Sequence, residues 1–225
     1  MNFFYWLFPK RCVGCGRLGM YICFGCVNKF KVCKKQVCPM CGKGSVYGQV
    51  HWKCRKKLGM EGLLCVFEYS AIVKKIISKI KYGYVSDQIA ALIEVVISLG
   101  EWLPLENQSW LVVPVPLHKR RLRERGFNQS ELIAIKLGRY WGWPVEAILV
   151  RKVYTKPQAL LKERDRLVNV KGAFGLRNNF SKTKRSGLNV LLVDDVWTTG
   201  STMKECAKVL KRAGVKQVWG VVVAS

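Results

Sequence analysis

An apolar run that leads into two adjacent carboxylates is the feature that most constrains this chain. Residues 190–202 read VLLVDDVWTTGST, where Asp194 and Asp195 follow the apolar run and precede a turn of hydroxyls and glycine. The next twelve residues, MKECAKVLKRAG, have the spacing of an amphipathic helix. A buried strand, a small-residue loop and a helix bring backbone N–H groups and a helix N-terminus together around a phosphate. The loop residues expected around that phosphate are Thr198, Thr199, Gly200, Ser201 and Thr202.

The two aspartates would lie beside the phosphate, where their oxygens can accept hydrogen bonds from neighbouring hydroxyls, as on a ribose. The plainer alternative is that they form a turn and that the loop only caps a helix, since Ser and Thr favour that position. The stretch closely resembles the signature of type I phosphoribosyltransferases, which bind phosphoribosyl pyrophosphate (PRPP). The resemblance implies that Asp194 and Asp195 take the ribose 2′ and 3′ hydroxyls, that residues 198–202 wrap the 5-phosphate, and that Mg²⁺ accompanies PRPP.

The charge of the chain is strongly and unevenly positive. The formal net charge is +25, with 39 Lys and Arg against 14 Asp and Glu. Such an excess predicts attraction to polyanions: nucleic acid, an anionic membrane or a phosphorylated ligand. Residues 1–60 contain twelve Lys or Arg and no acidic residue. We expect nucleic-acid binding there, with a solvated basic face as the alternative.

The compartment is inferred from what the sequence lacks. No apolar run approaches the roughly 18 residues of a transmembrane helix. The first residues, MNFFYWLFPKRC, are apolar but have no basic region or small-residue cleavage site, so they resemble a docking segment more than a signal peptide. We therefore expect a cytoplasmic protein with reduced thiols, in which the ten cysteines indicate metal binding rather than disulfides.

Four pairs of potential metal ligands, each separated by two residues, lie between residues 12 and 54. This spacing lets a tight turn direct both side chains at one ion, and four pairs make two tetrahedral zinc sites. Sequential pairing closes shorter loops and is preferred, although an interleaved order would also satisfy the spacing. Residues 1–60, which we call the head, are too few to fold around a core of their own, so their folding would depend on metal. The expected ligands are Cys12, Cys15, Cys23, Cys26, Cys38, Cys41, His51 and Cys54.

Four residues qualify the metal prediction. His51 could instead be an ordinary surface histidine, because histidine is common on surfaces. Cys33 lies outside the pair pattern and could replace a neighbouring ligand. Cys65 and Cys206 are interpreted as core residues.

From residue 61 onward, apolar strands alternate with helical patterns, which predicts an α/β fold with a parallel sheet. We therefore expect a zinc-ribbon-like domain at 1–60 and a phosphoribosyltransferase-like domain at 61–225. Strands are predicted at 63–69, 110–116, 188–195 and 216–225. Helices are predicted at 71–83, 87–100, 128–142 and 203–214, and residues 117–127, which contain HKRRLRERG, are interpreted as a turn.

The segments PVPLHKRRLRERGFNQS and TKPQALLKERDRLVNVKGAF resemble the bacterial ComF family over essentially the whole chain. That family joins a zinc-binding head to a phosphoribosyltransferase-like domain. The resemblance implies a lid loop over residues 155–169 that includes Thr155, Gln158 and Arg164. It also implies a pyrophosphate loop, for which a solvated basic turn is the alternative. The residues of that loop are Pro116, Leu117, His118, Lys119, Arg120 and Arg121.

Two functions follow from these patterns. One is a PRPP-binding protein of natural transformation that handles imported single-stranded DNA, and the family resemblance implies this role. Basic residues interleaved with aromatics in the head suit such a strand, and other DNA-uptake proteins would be partners. The alternative is an active phosphoribosyltransferase of nucleotide or amine metabolism with no DNA role. No residue is identified as the catalytic base of such an enzyme.

Overall fold

A computed structural model describes residues 9–82, 86–100, 102–105, 108–154, 170–177 and 187–225. Its central sheet has four parallel strands in the order β1-β6-β5-β2. These are β1 Gly62–Phe67, β2 Leu111–Pro114, β5 Asn189–Val196 and β6 Gln217–Ala224. A separate antiparallel pair consists of β3 Leu149–Arg151 and β4 Phe174–Leu176. The expected α/β fold with a parallel sheet is confirmed, whereas β3 and β4 were not predicted.

Six α-helices lie within the described residues, and none of these is both long and apolar enough to cross a membrane. They are α1 Phe24–Val27, α2 Ala71–Tyr82, α3 Ser86–Leu99, α4 Lys119–Arg125, α5 Gln129–Trp141 and α6 Ser201–Arg212. Single 3₁₀ turns occur at Val46–Gly48, Trp52–Cys54 and Leu103–Leu105.

The parallel sheet separates two apolar layers. Leu191 and Val193 of β5 face a layer that includes residues of α2, α3 and α5, and Val190 and Leu192 face a layer that includes residues of α6. Side chains alternate between the faces of a strand, so β5 is apolar at every position from 190 to 193 because both faces are covered. Both carboxylates therefore lie on β5 directly after its fully buried stretch.

The head, described from residue 9, packs along β1, which is an edge strand of the sheet. The Gln36 amide donates to the Cys65 carbonyl at 2.8 Å and accepts from the Cys65 N–H at 2.9 Å, as a neighbouring strand would. Phe30 packs edge-on against Phe67 with ring centroids 5.0 Å apart, so the head shares the core of the sheet. Covering β1 in this way blocks an edge that could pair with another chain.

The prediction of a turn over residues 117–127 is wrong for most of that segment, because residues 119–125 form α4. The His118 ring caps the helix by accepting the Arg120 N–H at 3.2 Å, and Arg120 pairs with Glu124 one turn later at 3.1 Å. Gly126 ends the helix in the left-handed conformation, with φ of 78°. Asn128 then caps α5 through its side chain, whose Oδ1 accepts the Ser130 N–H at 3.2 Å.

Candidate functional site

The carboxyl edge of the parallel sheet carries a cavity of about 350 Å³, at the position where open α/β sheets bind ligands. Residues from β3 and β5, from α2, α4 and α5, and from the connecting loops line it. Five cations face two carboxylates across this space, so the cavity favours a ligand with several negative charges. The charged lining residues are Lys74, Lys81, Arg121, Arg125, Arg151, Asp194 and Asp195.

Asp194 lies near the carboxyl end of β5 and is held through one oxygen. Its Oδ1 accepts the Ser130 hydroxyl at 2.8 Å and the Asp195 backbone N–H at 2.9 Å. Burial, followed by the charge of Asp195, raises the pKa of Asp194 to about 7, although both hydrogen bonds oppose the shift. The contacts of Oδ1 leave Oδ2 as the oxygen available to a ligand.

Asp195 forms an ion pair with Lys81 from the last turn of α2, with Nζ 2.7 Å from Oδ2. Burial lowers the pKa of Lys81, but attraction to Asp195 outweighs it and the net shift is upward. Their side chains are only 26% and 17% exposed, so this is a shielded pair in the cavity floor. The ion pair couples the position of α2 to the carboxylate at the tip of β5.

The loop after β5 is built to present backbone N–H groups at the start of α6. Gly200 has a φ of 69°, and a Cβ there would lie 2.1 Å from the Trp197 ring, so both conformation and packing require glycine. Thr199 stiffens the turn, because its hydroxyl accepts the Ser201 N–H at 3.4 Å and its carbonyl accepts Lys204 Nζ at 3.2 Å. Thr198 and Thr202 line the cavity on either side of this turn.

The predicted pyrophosphate loop divides between the cavity and the surface. Pro116, Leu117 and Arg121 line the cavity. Lys119 is exposed, and Arg120 is paired with Glu124. The remaining residue, His118, packs its ring 5.2 Å from that of Tyr154 and caps α4. Because α4 begins at residue 119, the side chains of this segment point in helical directions rather than all toward one ligand.

Tyr154 marks where the described chain stops before the segment interpreted as the lid. The guanidinium groups of Arg120 and Arg121 lie 4.9 and 5.9 Å from the Tyr154 ring centroid, within reach of a cation–π interaction. The predicted lid residues, Thr155, Gln158 and Arg164, lie outside the described residues.

Arg151 is a site residue that the sequence analysis missed. It ends β3, is 8% exposed, and lies over the Phe174 ring at 5.3 Å. Burial lowers the pKa of Arg151, and the charge of Arg121 lowers it further, so two guanidinium groups lie near each other at one wall of the cavity. Two like charges in such a position are stabilised by an anion between them. No motif identified Arg151, because β3 is three residues long.

The head brings its ligand pairs together in sequential order. Cys12, Cys15, Cys23 and Cys26 form one cluster, and Cys38, Cys41, His51 and Cys54 form the other, each with its ligand atoms within 4.8 Å of one another. Cys33 lies apart from both, with its Sγ 3.7 Å from the Lys35 carbonyl, and Cys65 and Cys206 are buried. Both clusters could hold a metal ion.

The two clusters use the same tight turn. In each, the glycine after the second cysteine has positive φ and its N–H donates to the carbonyl of the first: Gly16 to Cys12 at 2.8 Å and Gly42 to Cys38 at 2.9 Å. Burial raises the pKa of Cys12, but hydrogen bonds from backbone N–H groups and Cys23 outweigh it and bring the pKa to about 6. Burial and the neighbouring Cys12 raise the pKa of Cys26 in the same cluster to about 12, so ionisation of all four thiols requires a bound cation.

His51 has the orientation expected of a metal ligand. Its Nδ1 lies 3.4 Å from the Cys41 Sγ, and its Nε2 lies 3.0 Å from the Gly44 carbonyl. With the proton on Nε2 donated to that carbonyl, Nδ1 directs its lone pair into the cluster. The arrangement differs from that of a solvated surface histidine.

The fold and the cavity define an α/β domain of the phosphoribosyltransferase type, and a family model described as a phosphoribosyl transferase domain matches residues 133–225. Competence protein F from Haemophilus influenzae is 31% identical over 98% of both chains. Competence protein ComFC from Bacillus subtilis is 29% identical over 86% of this chain and 79% of its own. DNA utilization protein YhgH from Escherichia coli is 34% identical over 82% of this chain and 83% of its own. The chain belongs to the ComF family.

Proposed function

We propose that the cavity binds PRPP together with Mg²⁺. The observation that carries this proposal is that one cavity brings together two carboxylates, several cations and the residues Thr198 and Thr202, which flank the left-handed turn at Gly200. The aspartates would accept the ribose hydroxyls, and the N–H groups of the turn would bind the 5-phosphate. Magnesium would be held with the ligand beside the carboxylates Asp194 and Asp195 and would neutralise part of the ligand's charge.

The pyrophosphate would lie near Arg121 and Arg151. Strand β2, which feeds the loop to α4, is the neighbour of β5 in the sheet, so this wall is adjacent to the ribose position. Two guanidinium groups can each donate a pair of hydrogen bonds to phosphate oxygens. Ligand binding would also relieve the repulsion between these two cations.

The test is a calorimetric titration of PRPP into the full chain with Mg²⁺. Replacing both carboxylates, Asp194→Asn with Asp195→Asn, is expected to weaken binding at least a hundredfold, because two charge-assisted acceptors are lost. Glu146→Gln is the matched control, since Glu146 is an exposed acid that does not line the cavity. Equal PRPP affinity in the double variant and the control would contradict the proposal.

We infer that each head cluster holds one structural zinc ion. The donor sets, four thiols in one and three thiols with an imidazole in the other, are those of structural zinc sites. Elemental analysis is expected to find two zinc ions per chain. A chelator is expected to unfold the head, because the binding energy of the metal contributes to folding. A metal-free chain with an intact head would contradict the inference.

We propose that the protein acts in DNA uptake, in the cytoplasm, by handling imported single-stranded DNA alongside other uptake proteins. The names of the relatives, two competence proteins and a DNA utilization protein, support this role. Nothing in the comparisons favours a metabolic enzyme without a DNA role. The site for the strand would be the basic head, where backbone attraction and base stacking can combine.

The exposed rings of the head support this site. Phe24 and Trp52 are each 75% exposed and Tyr47 is 43% exposed, whereas Phe30 belongs to the core. Lys53 Nζ lies 5.1 Å from the Trp52 ring, so an aromatic face and a cation are presented together. These exposed rings are the stacking surfaces we assign to bases.

A basic groove of about 630 Å³ continues from the Trp52 turn along the amino ends of β1 and β6. Arg55, Lys56 and Lys57 line it, and Glu61 in the same groove is already engaged by Lys211. The PRPP cavity is at the opposite, carboxyl edge of the sheet, so a DNA strand bound in this groove would not compete with PRPP.

The DNA proposal is tested by fluorescence anisotropy with a labelled oligothymidylate. Trp52→Ala is expected to weaken binding about fivefold or more, because stacking contributes ~1–3 kcal/mol per base. Tyr140→Ala is the control, since Tyr140 is an exposed ring on α5, outside the head. Binding is expected to weaken steeply with salt. An equal loss of DNA affinity in Trp52→Ala and Tyr140→Ala would refute the proposal that the head is the DNA-binding site.

A further inference from the structure

One wall of the cavity extends beyond the positions proposed for the phosphates and ribose of PRPP. Tyr69, Lys74, Ser78 and Lys81 line the cavity from α2 and the residues just before it, and we call this set the α2 wall. Lys74, Ser78 and Lys81 are spaced by four and three residues, so they share one face of the helix. The apolar face of the same helix carries Ile76 and its neighbours into the core.

The α2 wall extends away from the pyrophosphate side of the cavity. The strand order β1-β6-β5-β2 places β1 two strands from β5, about 10 Å away, on the side opposite β2. Lys81 touches Asp195 of β5, and Lys74 is seven residues earlier, about 10 Å along the helix. Tyr69 lies two residues after the end of β1, and its N–H donates to the Ser225 carbonyl beyond β6. The wall therefore runs across the top of the sheet from β5 toward β1.

The chemistry of the wall is cationic and amphipathic. Its lysines face no carboxylate of the cavity except Asp194 and Asp195, and Lys81 already pairs with Asp195. Lys74 and Ser78 are exposed at the mouth, and the Tyr69 ring is 40% exposed. An ammonium group, a hydroxyl and a half-exposed ring together suit a phosphate attached to a planar base.

We propose that the α2 wall is a second binding site, adjacent to PRPP, for the phosphate of a nucleotide. Lys74 and Ser78 contact the phosphate and Tyr69 contacts the base. The second ligand enters from the β1 side while pyrophosphate lies on the β2 side, so both are bound at once. The phosphate belongs either to a free mononucleotide or to the 5′ end of a DNA strand. This inference rests on the proposed PRPP site.

The experiment measures two affinities in the full chain. The first is for PRPP with Mg²⁺, and the second is for thymidine 5′-monophosphate, measured with and without PRPP. Lys74→Gln is expected to weaken nucleotide binding about fivefold to tenfold, the loss of one partly exposed charge-assisted contact, and to weaken PRPP binding by a smaller factor, because Lys74 lies about 10 Å along α2 from Lys81. Lys75→Gln is the matched control, because Lys75 is an exposed lysine of the same helix outside the cavity lining. Thymidine, which lacks the phosphate, is expected to bind weakly to every variant.

The outcomes separate this inference from the PRPP proposal. Nucleotide binding that is equal in Lys74→Gln and Lys75→Gln overturns the second site. Equal weakening of PRPP and nucleotide by Lys74→Gln also overturns it, because Lys74 would then serve PRPP itself. If the wild-type chain binds the nucleotide but not PRPP, the PRPP proposal fails while the wall is supported. Decathymidylate with and without a 5′-phosphate distinguishes the sources: a preference for the phosphorylated strand that Lys74→Gln abolishes identifies a strand end, and its absence identifies a mononucleotide.

Discussion

Replacing Asp194 with asparagine is predicted to stabilise the fold while removing the proposed function. Both hydrogen bonds to Asp194 reach Oδ1, so the amide oxygen of asparagine can accept the same Ser130 hydroxyl and Asp195 N–H. The variant loses only the partly buried negative charge, which its neighbour Asp195 repels. The carboxylate at this position is therefore a feature that stability alone would not select.

The magnitude follows from the shifted pKa. A rise from the ordinary value of 3.8 to about 7 corresponds to an upper limit of about 4 kcal/mol. Asp194 is partly exposed in an open cavity, so solvent screening reduces this, and we expect about 2 kcal/mol. For a chain of this length that gain raises the melting temperature by about 4–8 °C.

The sign of the pH dependence is fixed by the direction of the shift. The folded protein holds the Asp194 proton more tightly than the unfolded chain, because the folded-state pKa is the higher one. The contribution of Asp194 to wild-type stability therefore falls as pH rises from about 4 to about 7 and is level above that range. The stabilisation by Asp194→Asn is expected to be near zero at pH 4 and full at pH 8.

The assay is thermal denaturation of wild type, Asp194→Asn and the surface control Glu146→Gln between pH 4 and pH 8. The control is expected to follow wild type at every pH, since Glu146 is exposed. A variant no more stable than wild type at pH 8 would refute the reasoning. So would a stabilisation of the same size at both ends of the pH range.

Two further predictions concern the geometry around the proposed ribose and phosphate. Gly200→Ala is expected to destabilise the chain by about 2–3 kcal/mol more than Gly187→Ala and to weaken PRPP binding at least tenfold, measured by melting and calorimetry. Both glycines have positive φ, but only the added Cβ at 200 meets a ring, that of Trp197. PRPP affinity is expected to rise with pH as Asp194 ionises. Ser130→Ala is expected to shift that rise to higher pH, because the Ser130 hydroxyl lowers the pKa of Asp194. Unchanged pH profiles would contradict that role.

The elements that are long or chemically marked could be predicted from the sequence. β5, β6 and α6 follow from apolar runs and helical spacing, because burial on one or both faces leaves a regular pattern. Strands β3 and β4, which are three residues each, were not predicted, and the segment that forms α4 was interpreted as a turn. A helix with no buried residue, stabilised by a histidine cap and the Arg120–Glu124 ion pair, leaves no apolar period to detect.

The residues of the candidate site also fall into two groups, those that a local motif predicts and those that only the packing of distant elements brings together. Asp194, Asp195 and the following loop are contiguous in sequence, so one motif predicts them together. Lys81 and Arg151 reach the cavity from elements distant in the chain, and only the packing of α2 and β3 against the sheet edge brings them there. The order in which the head pairs its ligands was likewise a preference from loop length, and the structure shows the sequential clusters.

The most direct test of the central claim is a crystal structure of the full chain with PRPP and Mg²⁺. The account predicts the ribose hydroxyls within hydrogen-bond distance of Asp194 and Asp195 and the 5-phosphate on the N–H groups of residues 198–202. Lys81 would remain beside Asp195 at the edge of the ribose. Ligand density away from the two carboxylates, in a crystal where the cavity is open to solvent, would contradict it.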